Sequence, residues 1–341
     1  MSNTTLKPLA EQVILITGAS SGIGLVTAKA AAKRGAKVVL VARNEAALAQ
    51  AVREIEAAGG TAILAVADVG DADQLRAAAD VGVQRLGRID TWVNNAGVTI
   101  YAKLVDTPLD EHQQMMRTNY FGAVNGAMLA VEHLRNRGGA LIQVGSIASD
   151  LPTPIMGAYA ATKHAVKGYI NSLRAEITAD KLPISVTLIK PAGIDTPIAQ
   201  HAANHMPGEA QLPPPVYDPQ LVADAILSAA EHPRREITVG GAGRAQVLMG
   251  THFPQLIDAL AGKMIPALFD RSRPKTPGNS LFRSDEAGRE HSGVQHGKSV
   301  SLYTTATLHR GTIAGVLVGA SVAGLWLAGR VARRVTGGAG R

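Results

Sequence analysis

The chain of 341 residues has no cysteine, which excludes disulfide bonds and thiolate chemistry. Aromatic residues make up only 4% of it. The first dozen residues, Met1 to Gln12, lack an apolar core, so no secretory signal is expected. The ten histidines form no metal-ligand pattern: His201 and His205 are spaced i,i+4, but in an irregular stretch without an H-E-x-x-H acid, and no metal is expected. Net charge is +7 and unevenly placed. Residues 271–341 hold 11 Lys+Arg against 3 Asp+Glu, whereas residues 1–270 hold 23 against 24. A basic tail suits nucleic acid or an anionic membrane surface. With few aromatics and no basic helical stripe in the tail, nucleic acid is not expected.

The length suits one large α/β domain with an extension. Val13 to Ile16 is a short β-rich run. Thr17-Gly-Ala-Ser-Ser-Gly-Ile-Gly24 follows, and then an Ala-rich helical stretch that stops at Gly35. Strand, glycine turn and helix together form a phosphate cradle. Its candidates are Gly18, Ser20, Ser21, Gly22, Ile23 and Gly24. Gly18 permits the tight turn, Gly22 the approach of a pyrophosphate, and Gly24 the packing of helix on strand. The second strand, Lys37 to Ala42, ends without the acid that would bind a ribose 2′-hydroxyl. It ends on Arg43, which can pair with a 2′-phosphate, so NADP(H) is expected over NAD(H).

Strands are also predicted at 61–67, 89–93, 140–145, 184–190 and 236–239, with helices between them. The fourth runs into Asn94-Asn95-Ala96-Gly97, where small residues let a cofactor lie against the strand end. A single helix is predicted over 106–137, and Asn119 inside it is unfavourable by propensity. Residues 197–219 have weak periodicity, as a lid or binding loop would. The alternation predicts a parallel sheet with helices on both faces, a doubly wound α/β fold of Rossmann type.

Tyr159 and Lys163 are four apart, hence on one helical face. A nearby ammonium favours the phenolate and would lower the tyrosine pKa toward the working range. Ser146 sits thirteen residues upstream at the end of a strand. A hydroxyl donor and an activated tyrosine brought together there can hold a carbonyl oxygen and pass it a proton.

Taken together, these motifs resemble the short-chain dehydrogenase/reductase family. They are Thr17-Gly18-x-x-x-Gly22-Ile23-Gly24, Asp68, Asn94-Asn95-Ala96-Gly97, Asn119, Ser146, Tyr159-x-x-x-Lys163 and Pro191…Thr196, in family order and spacing over about residues 10–240. The resemblance implies an oxidoreductase interconverting a secondary alcohol and a carbonyl. It makes Tyr159 the general acid/base and Lys163 the group that lowers its pKa and binds the nicotinamide ribose. Ser146 would hold the substrate oxygen, and Asn119 a proton-relay water. Asp68 and Val69 would meet the adenine, with Ile194 and Thr196 at the nicotinamide amide. Arg43 matches NADP-preferring members, and a homo-oligomer is expected. One departure is Pro191-Ala192-Gly193 where the family usually has Pro-Gly. The alternative is a catalytically weak, membrane-tethered nucleotide-binding interaction protein.

The expected organisation is a catalytic domain at 8–242, a helical extension at 243–270, a flexible disordered linker at 271–310, an apolar helix at 311–329 and a basic tail at 330–341. Gly311 to Gly329 is nineteen residues without a charge, long enough at ~1.5 Å per residue to span or embed in a bilayer. A membrane anchor with the catalytic domain in the cytoplasm is expected, and with it an apolar small-molecule substrate.

Overall fold

The computed structural model describes residues 4–277, 279–284 and 288–308. The expected apolar helix and basic tail lie outside them. Among the described residues no helix is long and apolar enough to cross a membrane.

Seven parallel strands form the central sheet: β1 Val13–Thr17, β2 Lys37–Ala42, β3 Thr61–Val66, β4 Thr91–Asn94, β5 Gly139–Val144, β6 Ile184–Pro191 and β7 Glu236–Val239. Their order across the sheet is β7-β6-β5-β4-β1-β2-β3. β1 and β6 are buried along their whole length, which requires cover on both faces. On one face α1 (Gly22–Lys33) and α7 (Pro219–Glu231) pack over Ile14, Ile16, Val38 and Leu40. On the other α3 (Ala72–Leu86), α5 (Gly122–Leu134) and α6 (Gly157–Ala179) pack over Leu15, Val39, Trp92 and Leu141. Helix starts are fixed locally: the Asn44 side chain accepts from Ala47 N–H at 2.9 Å to begin α2 (Glu45–Ala57), and Asp71 caps α3. Chain order reverses between β1 and β4, so the crevice opens at their carboxyl ends.

Two stretches differ from expectation. The helix predicted over 106–137 is broken: Pro108 is extended and caps α4 (Leu109–Met116), and residues Arg117–Phe121 form a π turn before α5. Asn119 sits in that turn, where the local bonding pattern departs from the α-helix. The stretch expected to be a flexible linker is, in its described part, hydrogen-bonded along the domain. It ends in a short helix, α10 (Leu302–Leu308), with the Thr304 hydroxyl accepting from Gly240 N–H at 3.0 Å. Low apolar content predicts little burial, but this segment docks through polar partners.

A third apolar cluster roofs the crevice. Ile100, Tyr101, Met115, Met206, Leu268, Phe269 and Leu281 meet there. The predicted lid, 197–219, contributes two short strands: Ala203–Asn204 pairs with Ile100–Tyr101, and Glu209–Ala210 with Phe269–Asp270. The extension forms α8 (Gly241–His252) and α9 (Pro254–Met264).

Candidate active site

A cavity of about 330 Å³ runs through the crevice. One end is walled by Gly18, Ser20, Ser21, Gly22, Ile23, Arg43, Asp68 and Val69, and the other by Ser146, Tyr159, Lys163, Pro191, Ile194 and Thr196, with Asn95, Ala96 and Gly97 in its wall. The structure thus gathers around one cavity the candidate cofactor and catalytic residues except Gly24 and Asn119, which do not line it.

The glycine turn is built by close approach. Gly18 has φ +67°, and a Cβ there would meet Ala96 Cα at 2.7 Å. At Gly24 a Cβ would lie 2.2 Å from the Gly18 carbonyl oxygen. Asn95 braces the turn, donating from Nδ2 to the Thr17 carbonyl at 3.0 Å. Among the described residues, the Ile23 and Gly24 N–H groups at the start of α1 carry no hydrogen bond. Two free donors at a helix N-terminus, reached through a floor that admits no side chain, fit a pyrophosphate.

Arg43 donates from Nη2 to the Ser280 carbonyl at 2.5 Å and the Arg283 carbonyl at 3.3 Å. Both bonds use one nitrogen, which leaves Nε and Nη1 for a ligand. Asp68 is held by Gly70 N–H at 2.9 Å and by Arg117 at 3.0 Å. At the Ala192 departure the N–H donates to the Val239 carbonyl at 2.9 Å, so the loop leaves the sheet in register.

Tyr159 and Lys163 lie in the first two turns of α6, and both are buried. Burial pushes the Tyr159 hydroxyl up to about 12, and a hydrogen bond with Ser146 acts the other way. Burial pulls the Lys163 ammonium down to about 8. The expected lowering of Tyr159 by Lys163 is therefore absent here. Lys163 Nζ donates to the Val144 carbonyl at 3.2 Å and stands 5.5 Å from the Tyr159 ring centre, not at its oxygen. Desolvation wins, and Tyr159 holds its proton at neutral pH.

Asn119 ties the strand end to this helix. Its Oδ1 accepts from Val98 N–H at 2.8 Å, and its Nδ2 donates to the Val98 carbonyl at 2.9 Å and the Thr162 hydroxyl at 3.1 Å. The loop after Ser146 is fixed by Asp150, which sequence reasoning missed. Burial opposes its ionisation, but Lys167 and Lys190 outweigh that and hold the carboxyl below the ordinary range. Lys190 is itself buried and bonds Asp150 at 2.7 Å. Only the three-dimensional meeting of β6, α6 and this loop reveals the cluster.

Most of the remaining lining is apolar, with Ile147, Leu151, Met156, Ile198, Leu212 and Ile257, beside the polar Thr153, His201 and Gln246. Within the predicted lid, Ile198 and Leu212 line the cavity and Met206 packs in the roof. The α8–α9 contribution was legible only as an apolar extension.

Residues 12–207 match the family described as short chain dehydrogenase. An uncharacterized oxidoreductase of Bacillus subtilis, YxnA, is 42% identical over 320 residues, 92% of this chain and 90% of that protein. An 11-beta-hydroxysteroid dehydrogenase A of Sesamum indicum is 36% identical over 194 residues, 56% of this chain and 55% of that one. A short chain dehydrogenase/reductase from Burkholderia phymatum, solved in complex with NAD, superposes with TM-score 0.66 at 26% identity, covering 74% of this chain and 96% of that one. Parallel sheet, glycine cradle, a Ser–Tyr–Lys group in one cavity and matched sequence agree: the chain belongs to the short chain dehydrogenase family of oxidoreductases.

Proposed function

We propose that this chain is an NADP(H)-dependent oxidoreductase that interconverts an apolar secondary alcohol and its carbonyl. One observation carries the reading: Ser146, Tyr159 and Lys163 line a single cavity that also takes in the glycine cradle and an apolar chamber. The bound dinucleotide supplies the hydride that adds to the carbonyl carbon. Ser146 holds the substrate oxygen, and Tyr159 donates its hydroxyl proton to it. Lys163 binds the nicotinamide ribose with its ammonium. Asn119 fixes this arrangement, and its remaining carbonyl lone pair is available to the relay water that the resemblance implies. Ile23 and Gly24 N–H groups hold the pyrophosphate, and Asp68 and Val69 border the adenine. Ile194 and Thr196 face the nicotinamide amide, and Arg43 meets the 2′-phosphate.

The apolar wall supports a hydrophobic substrate. Exposed Leu109, Phe121 and Met128 on α4–α5 support a homo-oligomer. We also propose membrane association through residues 311–329 with the catalytic domain in the cytoplasm, on the composition of that stretch. The test of the activity is a screen of the full chain with NADPH against aliphatic, aromatic and polycyclic ketones and aldehydes. Turnover favouring apolar carbonyls supports the reading. Cofactor binding without turnover across the library favours the weakly catalytic, tethered alternative.

A further inference from the structure

The family match ends at residue 207, yet the wall of the cavity does not. Of the described stretches 279–284 and 288–298, the first lines it through Ser280 and Ser284, and the second bonds to Gly22 and Asp195 at its margins. Ser280 joins two parts of the site through its own peptide groups. Its N–H donates to the His201 carbonyl in the lid at 2.8 Å, and its carbonyl accepts from Arg43 at 2.5 Å. Leu281 is fully buried in the roof, and its carbonyl accepts from Gln114 at 3.1 Å. Arg289 offers its carbonyl to the Gly22 N–H at 2.9 Å, the first donor of α1.

The firmest attachment is at the other end. Asp195 is 4% exposed and lies between Ile194 and Thr196. Its carboxylate accepts from Ser292 Oγ at 2.5 Å, Ser292 N–H at 3.1 Å and Gly297 N–H at 3.2 Å. A buried carboxylate without donors is strongly unfavourable. Here its donors come from the C-terminal segment, so loop and segment form one unit. Gln295 exchanges a reciprocal pair of bonds with the Leu212 backbone in the lid, at 2.9 and 2.8 Å. Lys298 N–H donates to Val216 at 2.9 Å, and Asp218 N–H to the Lys298 carbonyl at 3.0 Å, extending the lid backbone by a further row.

We propose that these stretches form a strap that completes the dinucleotide site, with Ser292 and Gln295 as positioning residues that couple cofactor binding to the lid. The strap walls the cavity instead of filling it: Ser280 and Ser284 line it beside Arg43, while the Ile23 and Gly24 N–H groups stay open to phosphate. Its contacts reach the adenosine end through Arg43, the pyrophosphate cradle through Gly22 and the nicotinamide loop through Asp195. Bound dinucleotide therefore lies beneath it, and a loosened strap releases cofactor. The inference rests on reading the cavity as a dinucleotide site.

The test uses the full chain as wild type, Ser292→Ala, Ser292→Thr and Gln295→Ala. NADPH dissociation constants are read by nucleotide fluorescence, and trypsin cleavage after Arg283 and Arg289 by mass spectrometry, with and without NADPH. NADPH is expected to slow both cleavages in the wild type. Ser292→Ala should raise the dissociation constant about tenfold, the worth of a hydrogen bond to a charged group, and lose the protection. Ser292→Thr keeps the hydroxyl and should restore both. Gln295→Ala leaves Asp195 satisfied and should show the same direction if Ser292→Ala fails to fold. Unchanged affinity in the folded variants, or cleavage indifferent to NADPH, overturns the proposal. Tighter binding in the variants overturns it too, since the strap would then be an obstruction. A wild type that binds neither NADPH nor NADH sinks the dinucleotide reading itself, and the strap with it.

Discussion

The Lys163 ammonium stands 5.5 Å from the centre of the Tyr159 ring, one helical turn away and buried with it. A cation and a phenol so placed suggest mutual activation, yet each is shifted against its charged form. Tyr159 is raised to about 12 and Lys163 lowered to about 8, both by burial. At neutral pH the pair is thus a protonated phenol beside a cation, suited to giving a proton to a carbonyl oxygen.

Lys163→Met should abolish turnover and stabilise the fold at neutral pH. The folded-state pKa of Lys163 lies below its ordinary value of 10.5, so the unfolded chain holds the proton more strongly. Wild-type stability therefore rises with pH from about 8 to 10.5. The advantage of the variant is largest below about 8 and shrinks above it. Thermal melts from pH 6 to 10 check this, and a variant less stable at pH 7 would contradict it.

If reduction needs the Lys163 cation, kcat/KM for carbonyl reduction should fall as pH rises through about 8. Tyr159 stays protonated over that range. A profile flat to pH 10 would show that the charge of Lys163 has no part in the reaction.

Arg43→Ala should weaken NADPH more than NADH. The difference expected is ~1.5–3 kcal/mol in log KM terms, the worth of a hydrogen bond to a charged group. Because Arg43 also holds Ser280, a smaller loss common to both cofactors accompanies it. Equal losses would make Arg43 a strap anchor alone.

The full chain should sediment with membranes and resist high-salt and carbonate washing, since apolar burial is insensitive to the screening that weakens headgroup contacts. A chain ending at residue 308, which keeps Thr304 on Gly240, should be recovered without detergent and stay active. Release of the full chain by salt alone would assign the attachment to the basic flanks.

Much of the site was legible because its chemistry is local. Tyr159 and Lys163 share a helix face by spacing, and Gly24 is required by the Gly18 carbonyl within one turn. Asn119 stood out as a polar residue out of place, but no periodicity announces a π turn. The shift of Tyr159 was misread because pairwise spacing says nothing of burial. The strap was invisible for a different reason. Ser292 meets Asp195 across 97 positions through a few polar atoms, and composition registers apolar surface, not single hydrogen bonds. Asp150 with Lys167 and Lys190 was hidden likewise, its partners lying on separate elements.

The most direct measurement is NADPH oxidation by purified wild type and Tyr159→Phe, each with the best carbonyl substrate from the library, alongside their NADPH dissociation constants. Removing one hydroxyl should lower kcat by ~10²–10⁴-fold, the usual worth of a positioned proton donor, with cofactor affinity unchanged within about twofold. More than about a tenth of wild-type turnover in Tyr159→Phe would contradict the assignment of Tyr159 as the proton donor.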